Sequence, residues 1–428
     1  MLLFALVLAT VQTDTSALGP PPRLSLQTVV ARTLAYSPAI ASAQGTVRDA
    51  SAARRVALGT YLPSLSLTSS AGWTDPSSPA SLSSTSPRNT YGAGLATSLD
   101  LFTGGRRGAL RSAADADARA ADAGFVFERY ATILVAKQGY FAVVRARQLV
   151  GVAEEFVAAA ELGLTYATDR AATGTATRSD VLRARLAVAA SRRQWLAAED
   201  TLAMAGAELG RLVGADGPVD VEPLASLDPT PLALSDSALR VLAPVVAPVV
   251  VAADAQAVAS AALVRSSRSQ YLPTIAAGAG YNWANAATTS VSGAGGTTRA
   301  GWVFAITTSF PLFNGFVREA SVTHAEAVAD VARVTSADTR RFIRAEAQRL
   351  LGNLHVAEQD IGLTSESVRL AREDLRVIQS RYRAGIATIL DVLTSQTSLV
   401  QSELDFVSAQ FTYQVTRASL EALLGRDL

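Results

Sequence analysis

The sequence has no cysteine, only two histidines in 428 residues, and a formal net charge of +1. Without cysteine there is no thiolate metal site, no cysteine nucleophile, no disulfide framework and no lipid-anchored N-terminal cysteine. The histidines, His324 and His355, stand 31 residues apart on one helical stretch, which is no metal-ligand spacing. Both read as solvated helix residues. So small a net charge offers nothing for a nucleic acid or an anionic surface to select, and no nucleic-acid partner is expected. No glycine-rich loop leads to a phosphate-binding Lys or Ser/Thr, and no nucleophile stands beside a base. The expectation is no enzyme, no catalytic residue, no metal and no cofactor.

Long apolar runs are lacking too. The N-terminal "MLLFALVLAT" is short and is followed by small and polar residues. It predicts a signal peptide over 1–17 with a Thr15-Ser16-Ala17 cleavage context, although the first basic residue is Arg23. Further on, no uncharged apolar run reaches the ~18 residues a membrane helix needs. Val241 to Ala253 comes nearest and carries Pro244 and Pro248. A membrane protein of this composition would have to span by strands.

What is present comes twice. Tyr61-Leu62-Pro63 returns as Tyr271-Leu272-Pro273, and Leu101-Phe102-Thr103-Gly104 as Leu312-Phe313-Asn314-Gly315. "RAATGTATRSDVL" from Arg170 returns as "RYRAGIATILDVL" from Arg381, and Leu212-Val213-Gly214 as Leu423-Leu424-Gly425. The offset stays at 210 to 211 residues and the order never changes. Residues 24–214 and 232–428 therefore read as two structural repeats joined by a Pro- and Asp-rich linker, 215–231. Each half predicts a helix ending before Tyr-Leu-Pro, then a strand, a polar loop, a second strand, a very long helix, a glycine turn and a last helix.

Tyr91 to Phe102 and Trp302 to Phe313 alternate in twos, the signal of a strand. Tyr91, Leu95, Leu99 and Leu101 share one face with Ala93 and Thr97; Gly92, Gly94, Ala96, Ser98 and Asp100 share the other. In the second half Trp302, Phe304, Ile306, Phe310 and Leu312 oppose Val303, Ala305, Thr307 and Ser309. Leu65 to Trp73 and Ile275 to Trp283 alternate more weakly. The loops between paired strands are long and rich in Ser, Thr, Gly, Ala and Pro. Trp73, Tyr91, Tyr281, Trp283 and Trp302 stand at the loop end, and Tyr61, Phe102, Tyr271, Phe310 and Phe313 at the helix end. Two aromatic girdles on ~10-residue alternating strands describe an outer-membrane barrel facing lipid. Four strands close no barrel, and open edges are not tolerated in lipid, so several copies must share one.

A 3.5-residue seam marks the long helices. It runs through Ile343, Ala347, Leu350, Leu354, Ala357, Ile361, Thr364, Val368, Ala371, Leu375, Ile378 and Tyr382. Shifted back by 211, it runs through smaller residues from Thr132 and Ala136 to Ala167 and Ala171. Such a period specifies a left-handed coiled coil. A helix from Phe316 to about Tyr382 would be roughly 100 Å long, too long to lie within a bilayer and so projecting from it.

The duplicated halves, Tyr-Leu-Pro before a strand, "LFTGG" and "LFNGF" after one, and "RAGIATILDVL" at a helix turn together resemble the outer-membrane efflux family, the TolC-type channels. The likeness covers Leu24 to Leu428. It implies a mostly α chain with a β-barrel part. Four transmembrane strands per chain would join in a homotrimeric twelve-stranded β-barrel. Long antiparallel coiled-coil helices would continue it as a periplasmic α-barrel. The implied role is the exit duct of a tripartite efflux or type I secretion system. Its partners would be a periplasmic membrane-fusion adaptor, an inner-membrane pump of the RND, ABC or MFS type, and outer-membrane lipid. A periplasmic coiled-coil scaffold or adhesin with a small soluble β-domain is the alternative; it would stay in the aqueous fraction.

By themselves, Thr177-x-x-Asp180 and Thr388-x-x-Asp391 are capping boxes, and Gly174 and Gly385 are left-handed helix stops. The resemblance adds a pore gate. Asp391 would face the axis as one acidic ring, since Thr394 stands where some members place a second aspartate. Tyr382 would hydrogen-bond Asp180. A reinforcing arginine of some members falls at Ala387, which implies a weaker latch. The adaptor would meet Gly174, Thr175, Gly385 and Ile386. Gly104-Gly105-Arg106 reads as a strand-to-helix bend.

Overall fold

The computed structural model describes residues 22–73, 89–223, 227–232, 234–284 and 300–428. The expected signal peptide and most of both inter-strand loops lie outside the described residues. The element order is the same in both halves. The first runs α1 (Leu26–Tyr36), α2 (Pro38–Gly59), β2 (Ser64–Trp73), β3 (Asn89–Phe102), α3 (Arg106–Ala172) and α4 (Arg178–Leu212). The second runs α5 (Asp236–Val246), α6 (Pro248–Arg268), β5 (Thr274–Ala284), β6 (Ala300–Ser309), α7 (Val317–Arg383) and α8 (Ile389–Leu424). Two short strands absent from the sequence reading, β1 (Arg23–Leu24) and β4 (Asp220–Val221), pair in parallel. In space the chain forms two compact units, and each draws on both halves. One takes the residues up to Ala41, Phe127–Ala243 and Arg344–Leu428; the other takes Ser42–Val126 and Pro244–Ile343.

The second unit holds an antiparallel sheet in the order β2-β3-β5-β6. Its register gathers the predicted faces across all four strands. Leu67 opposes Leu95, Leu95 opposes Tyr281, and Tyr281 opposes Trp302. Leu65, Ile275, Trp283, Phe304 and Ile306 fall on that same face. Tyr281 packs on Trp302 with ring centroids 5.0 Å apart, and Trp302 stacks on Phe304 at 6.1 Å. The other face is mostly small or polar, with Ser64, Ser66, Thr68, Ser98, Asp100, Gly94, Gly278, Gly280, Asn282 and Thr307, and carries Val303 as well. The apolar face has no cover among the described residues, and Leu67, Phe304 and Ile306 are each more than 70% exposed. No further strand adjoins β2 or β6 among the described residues.

The last strand is shorter than its alternation suggested. It ends at Ser309, so Phe310, Leu312 and Phe313 lie beyond it. Pro311 explains the stop, because proline has no N–H to offer a ladder. The matching strand β3 continues to Phe102 through a bulge at Leu101, between the Asp100–Ala276 and Phe102–Ile275 pairs.

Both strand-to-helix junctions are tied in one way, which accounts for the two Tyr-Leu-Pro words. Arg107 lies 4.9 Å over the Tyr61 ring and donates to the Thr60 and Leu101 carbonyls at 3.3 and 3.1 Å. Its counterpart 211 residues on, Arg318, lies 4.9 Å over Tyr271 and donates to the Pro311 and Leu312 carbonyls at 2.9 and 3.4 Å. Each guanidinium thereby satisfies backbone carbonyls near the junction, while its flat face covers the tyrosine.

The heptad seam is the buried line of both long helices. Ile343, Ala347, Leu350, Leu354, Ala357 and Ile361 are all buried, as are Ala136, Val143, Ala146, Ala160 and Ala167. Small residues there allow close packing: a Cβ on Gly139 would come within 2.8 Å of Leu212 Cδ1. Leu24, Val29, Tyr140, Leu209, Val213, Val219 and Val221 form a core beside the β1–β4 pair. The single lysine, Lys137, is mostly buried against Glu421 and ties α3 to α8. One helical run, Asp236–Tyr271, is long and apolar enough to cross a bilayer by length and composition. Ala247, with ψ of 128°, breaks it into α5 and α6.

Candidate functional site

The two glycine turns join α3 to α4 and α7 to α8, and their backbones are near copies. Gly174 has φ of 74° and Gly385 of 82°, the left-handed region where only glycine sits without strain. The Arg170 carbonyl accepts from the N–H groups of Thr175 and Ala176 at 2.9 and 3.1 Å. The Arg381 carbonyl accepts from Ile386 and Ala387 at 2.9 and 3.3 Å. These bonds close the helix C-termini.

The following helices begin with complete capping boxes, as expected. Asp180 Oδ2 accepts from the Thr177 N–H and hydroxyl, both at 2.8 Å, and the Asp180 N–H donates to Thr177 Oγ1 at 3.2 Å. Asp391 and Thr388 repeat the arrangement at 2.8, 2.8 and 3.3 Å. The threonine N–H, and after it the hydroxyl, holds each carboxyl below the usual carboxylate range. Both are therefore anions at neutral pH. Asp391 is exposed, whereas Asp180 is half-buried, with the Arg183 and Arg170 charges also acting on it.

Gly174, Thr175, Gly385 and Ile386 are all exposed, and the Ile386 side chain is 79% accessible. Tyr382 is different. It is 2% exposed, in a small core with Ala167, Ala184, Ile389 and Val392. Burial pushes its phenol up. The expected Tyr382–Asp180 hydrogen bond is not made: Tyr382 Oη has no partner, and the Asp180 oxygen that accepts is held by Thr177.

The contact between the turns comes instead from arginines the sequence reading passed over. Arg170 lies 4.5 Å over the Tyr382 ring. It donates to the Tyr382 carbonyl at 2.8 Å and to the Thr175 carbonyl at 3.1 Å. In the opposite sense, Arg383 lies 4.4 Å over the Tyr166 ring and donates to its hydroxyl. Two crossed Arg–Tyr pairs thus clasp the ends of α3 and α7. The available signal was an arginine four residues before the first turn glycine, a usual place for a cation that reaches helix-end carbonyls. A further tie joins α7 to α8, where Arg372 meets the buried Glu403 at 2.8 Å.

His355 is not purely solvated, since its Nε2 lies 3.1 Å from the Asp236 carboxylate, while His324 is exposed. No group of three or more His, Asp or Glu side chains suited to a metal occurs among the described residues.

Residues 29–215 and 242–426 match the family described as outer membrane efflux protein. Protein CyaE of Bordetella pertussis (strain Tohama I) is 27% identical, over 94% of this chain and 83% of that protein. The solved structure of CusC superposes with a TM-score of 0.81 at 19% identity, covering 95% of this chain and 93% of that one. For the outer membrane protein VceC from Vibrio cholerae the TM-score is 0.77 at 20% identity, over 94% and 96% of the two chains. At such identities the structural likeness speaks to the fold.

Proposed function

The chain belongs to the outer membrane efflux protein family and is an outer-membrane efflux channel; on that premise we propose that three copies build one continuous gated duct. The carrying observation is the sheet. Among the described residues its apolar aromatic face is uncovered, its opposite face is mostly small or polar, and no further strand adjoins its edges. Apolar-out and polar-in is the pattern of a strand between lipid and water. Joining β6 of one copy to β2 of the next would close a twelve-stranded barrel from three four-stranded sheets. The 67-residue helices α3 and α7, too long for a bilayer, then carry the duct into the periplasm. The two halves act as structural repeats, each supplying one strand pair and one helix hairpin.

The paired turns serve as the gate and docking tip. Asp391, ionised and exposed, forms the acidic ring that draws cations into the narrowest part. Asp180 lies behind it and is partly offset by Arg170 and Arg183. Arg170 on Tyr382 holds the hairpins together, in place of the Tyr382–Asp180 bond and of an arginine at position 387. A cation–π contact of this kind contributes about 0.5–2 kcal/mol, enough to bias a gate and small enough for a partner to overcome. A periplasmic adaptor meets Gly174, Thr175, Gly385 and Ile386, where glycine lets backbones approach closely. An inner-membrane pump then delivers the substrate.

Purification tests the reading. The protein should require detergent, run with the mass of three chains, and conduct in planar bilayers with a cation preference that Asp391→Asn reduces. A monomer in the aqueous fraction would overturn the channel, and an unchanged preference in Asp391→Asn would remove the ring.

A further inference from the structure

The two strand-to-helix turns share a backbone and differ in what they expose. Gly104 and Gly105 have φ of 60° and 86° before α3; Gly315 and Phe316 both have 65° before α7. Phe316 is the one non-glycine residue with positive φ among the described residues. A bulky side chain is strained in that region, and its counterpart Gly105 shows that the turn accepts glycine. Nothing among the described residues offsets the strain. The Phe316 ring is 68% exposed, and its one aromatic contact is edge-on with Phe313 at 5.5 Å. Phe313 is 74% exposed, Leu312 82% and Val317 62%. The matching first-half positions are less apolar: Leu101 and Phe102 are 50% and 42% exposed, but Gly105 has no side chain, and Arg106 is charged and lies 3.8 Å from Asp100.

We infer that Phe316, seated against Phe313, is a wedge into the phospholipid leaflet facing the periplasm, at a place where the first half has only Gly105. The inference rests on the transmembrane reading of the sheet. The apolar patch begins directly past Ser309, continuing the strand whose apolar face carries Trp302, Phe304 and Ile306. It ends where α7 leaves for the aqueous side. Aromatic rings are favoured at that boundary between headgroup and acyl chain, so insertion offsets the backbone strain. Phospholipid is the occupant that this continuity selects; a neighbouring copy of the chain would leave the strand face and the wedge covered by different things.

The lack of cysteine makes a clean test possible. Phe316→Cys, Arg106→Cys and Phe304→Cys each give one site for a nitroxide label, read in vesicles of phosphatidylethanolamine and phosphatidylglycerol. Collision with oxygen reports lipid, and collision with a water-soluble nickel complex reports water. The oxygen-to-nickel ratio at position 316 should be several-fold higher than at 106 and approach that at 304. If 304 reads as lipid while 316 matches 106, or 316 is shielded from both reagents, the wedge is overturned and the membrane reading stands. If 304 also reads as water, the membrane reading itself falls. Phe316→Gly is the companion variant. In detergent its unfolding midpoint should equal or exceed that of the parent, and transfer to the vesicles should stabilise it less than the parent. Equal gains on transfer would overturn the wedge.

Discussion

The turn at Gly174 and the turn at Gly385 agree in every backbone feature and disagree in what flanks them. Glycine φ, helix-closing bonds and capping boxes match within 0.2 Å and 8°. Around that frame, Arg170 reaches across to Tyr382, whereas Arg381 at the matching place is exposed and its side chain makes no hydrogen bond or ion pair among the described residues. Asp180 is half-buried, whereas Asp391 is open. The strand-to-helix turns repeat the lesson: Arg107 and Arg318 clasp alike, while Gly105 and Phe316 part company. Residues that set the chain's path are held in common, and the differences gather where a side chain meets something outside its own hairpin.

That contrast can be attacked where it is strongest. Gly174→Val or Gly385→Val forces a β-branched residue into the left-handed region, at a cost of about 1–2 kcal/mol, and places bulk on the docking surface. Export of a reporter substrate should be abolished by either change while the oligomer persists in detergent; normal export would remove the turns from the contact with the adaptor.

Next in size is the broken symmetry of the arginines. Arg170→Ala should raise the open-state current in planar bilayers several-fold, as expected from losing about 0.5–2 kcal/mol of clasp. Arg381→Ala, at the equivalent position, should leave the current near that of the parent. Equal effects would mean the clasp is not the latch.

The smallest effects should be the symmetric ones. Thr177→Ala and Thr388→Ala each remove a helix cap and should cost about 1 kcal/mol, equally in both halves, by chemical denaturation. Asp180 and Asp391 have folded-state pKa values below their unfolded ones. Their contribution is therefore fully present above the unfolded value and is lost as pH falls through the folded value. Denaturation curves of Asp180→Asn and Asp391→Asn should differ from the parent at neutral pH and converge with it below the usual carboxylate range.

Much of this was legible because it is periodic or repeated. Alternation placed Leu67, Leu95, Tyr281 and Trp302 on one face, and the register put them in one row. The 3.5-residue seam named Ile343 through Ile361, all buried. Thr177 and Asp180 were readable as a cap because the contact is three residues long. What escaped is long-range and carried by single side chains. Arg170 meets Tyr382 across 212 residues, and no local pattern marks that meeting. The Tyr382–Asp180 bond came from family likeness, and it is not formed: Thr177 holds Asp180 Oδ2, and Arg170 rather than Asp180 meets Tyr382. The end of β6 at Ser309 was missed because side-chain alternation continues through Pro311, whereas the hydrogen-bond ladder does not.

The short pair of β1 with β4 carries a consequence for biosynthesis. Arg23 reaches Asp220 across 197 residues, and the buried residues of the core beside that pair run from Leu24 to Val221, with the later Leu227 and Phe411 only partly buried against them. A ribosome will have made every buried residue of that core before the second strand pair is translated. Once on the periplasmic side, the first half can thus lock its own ends together while its β2–β3 hairpin still waits for β5, so the emerging chain has a folded foothold before the lipid-facing surface is complete.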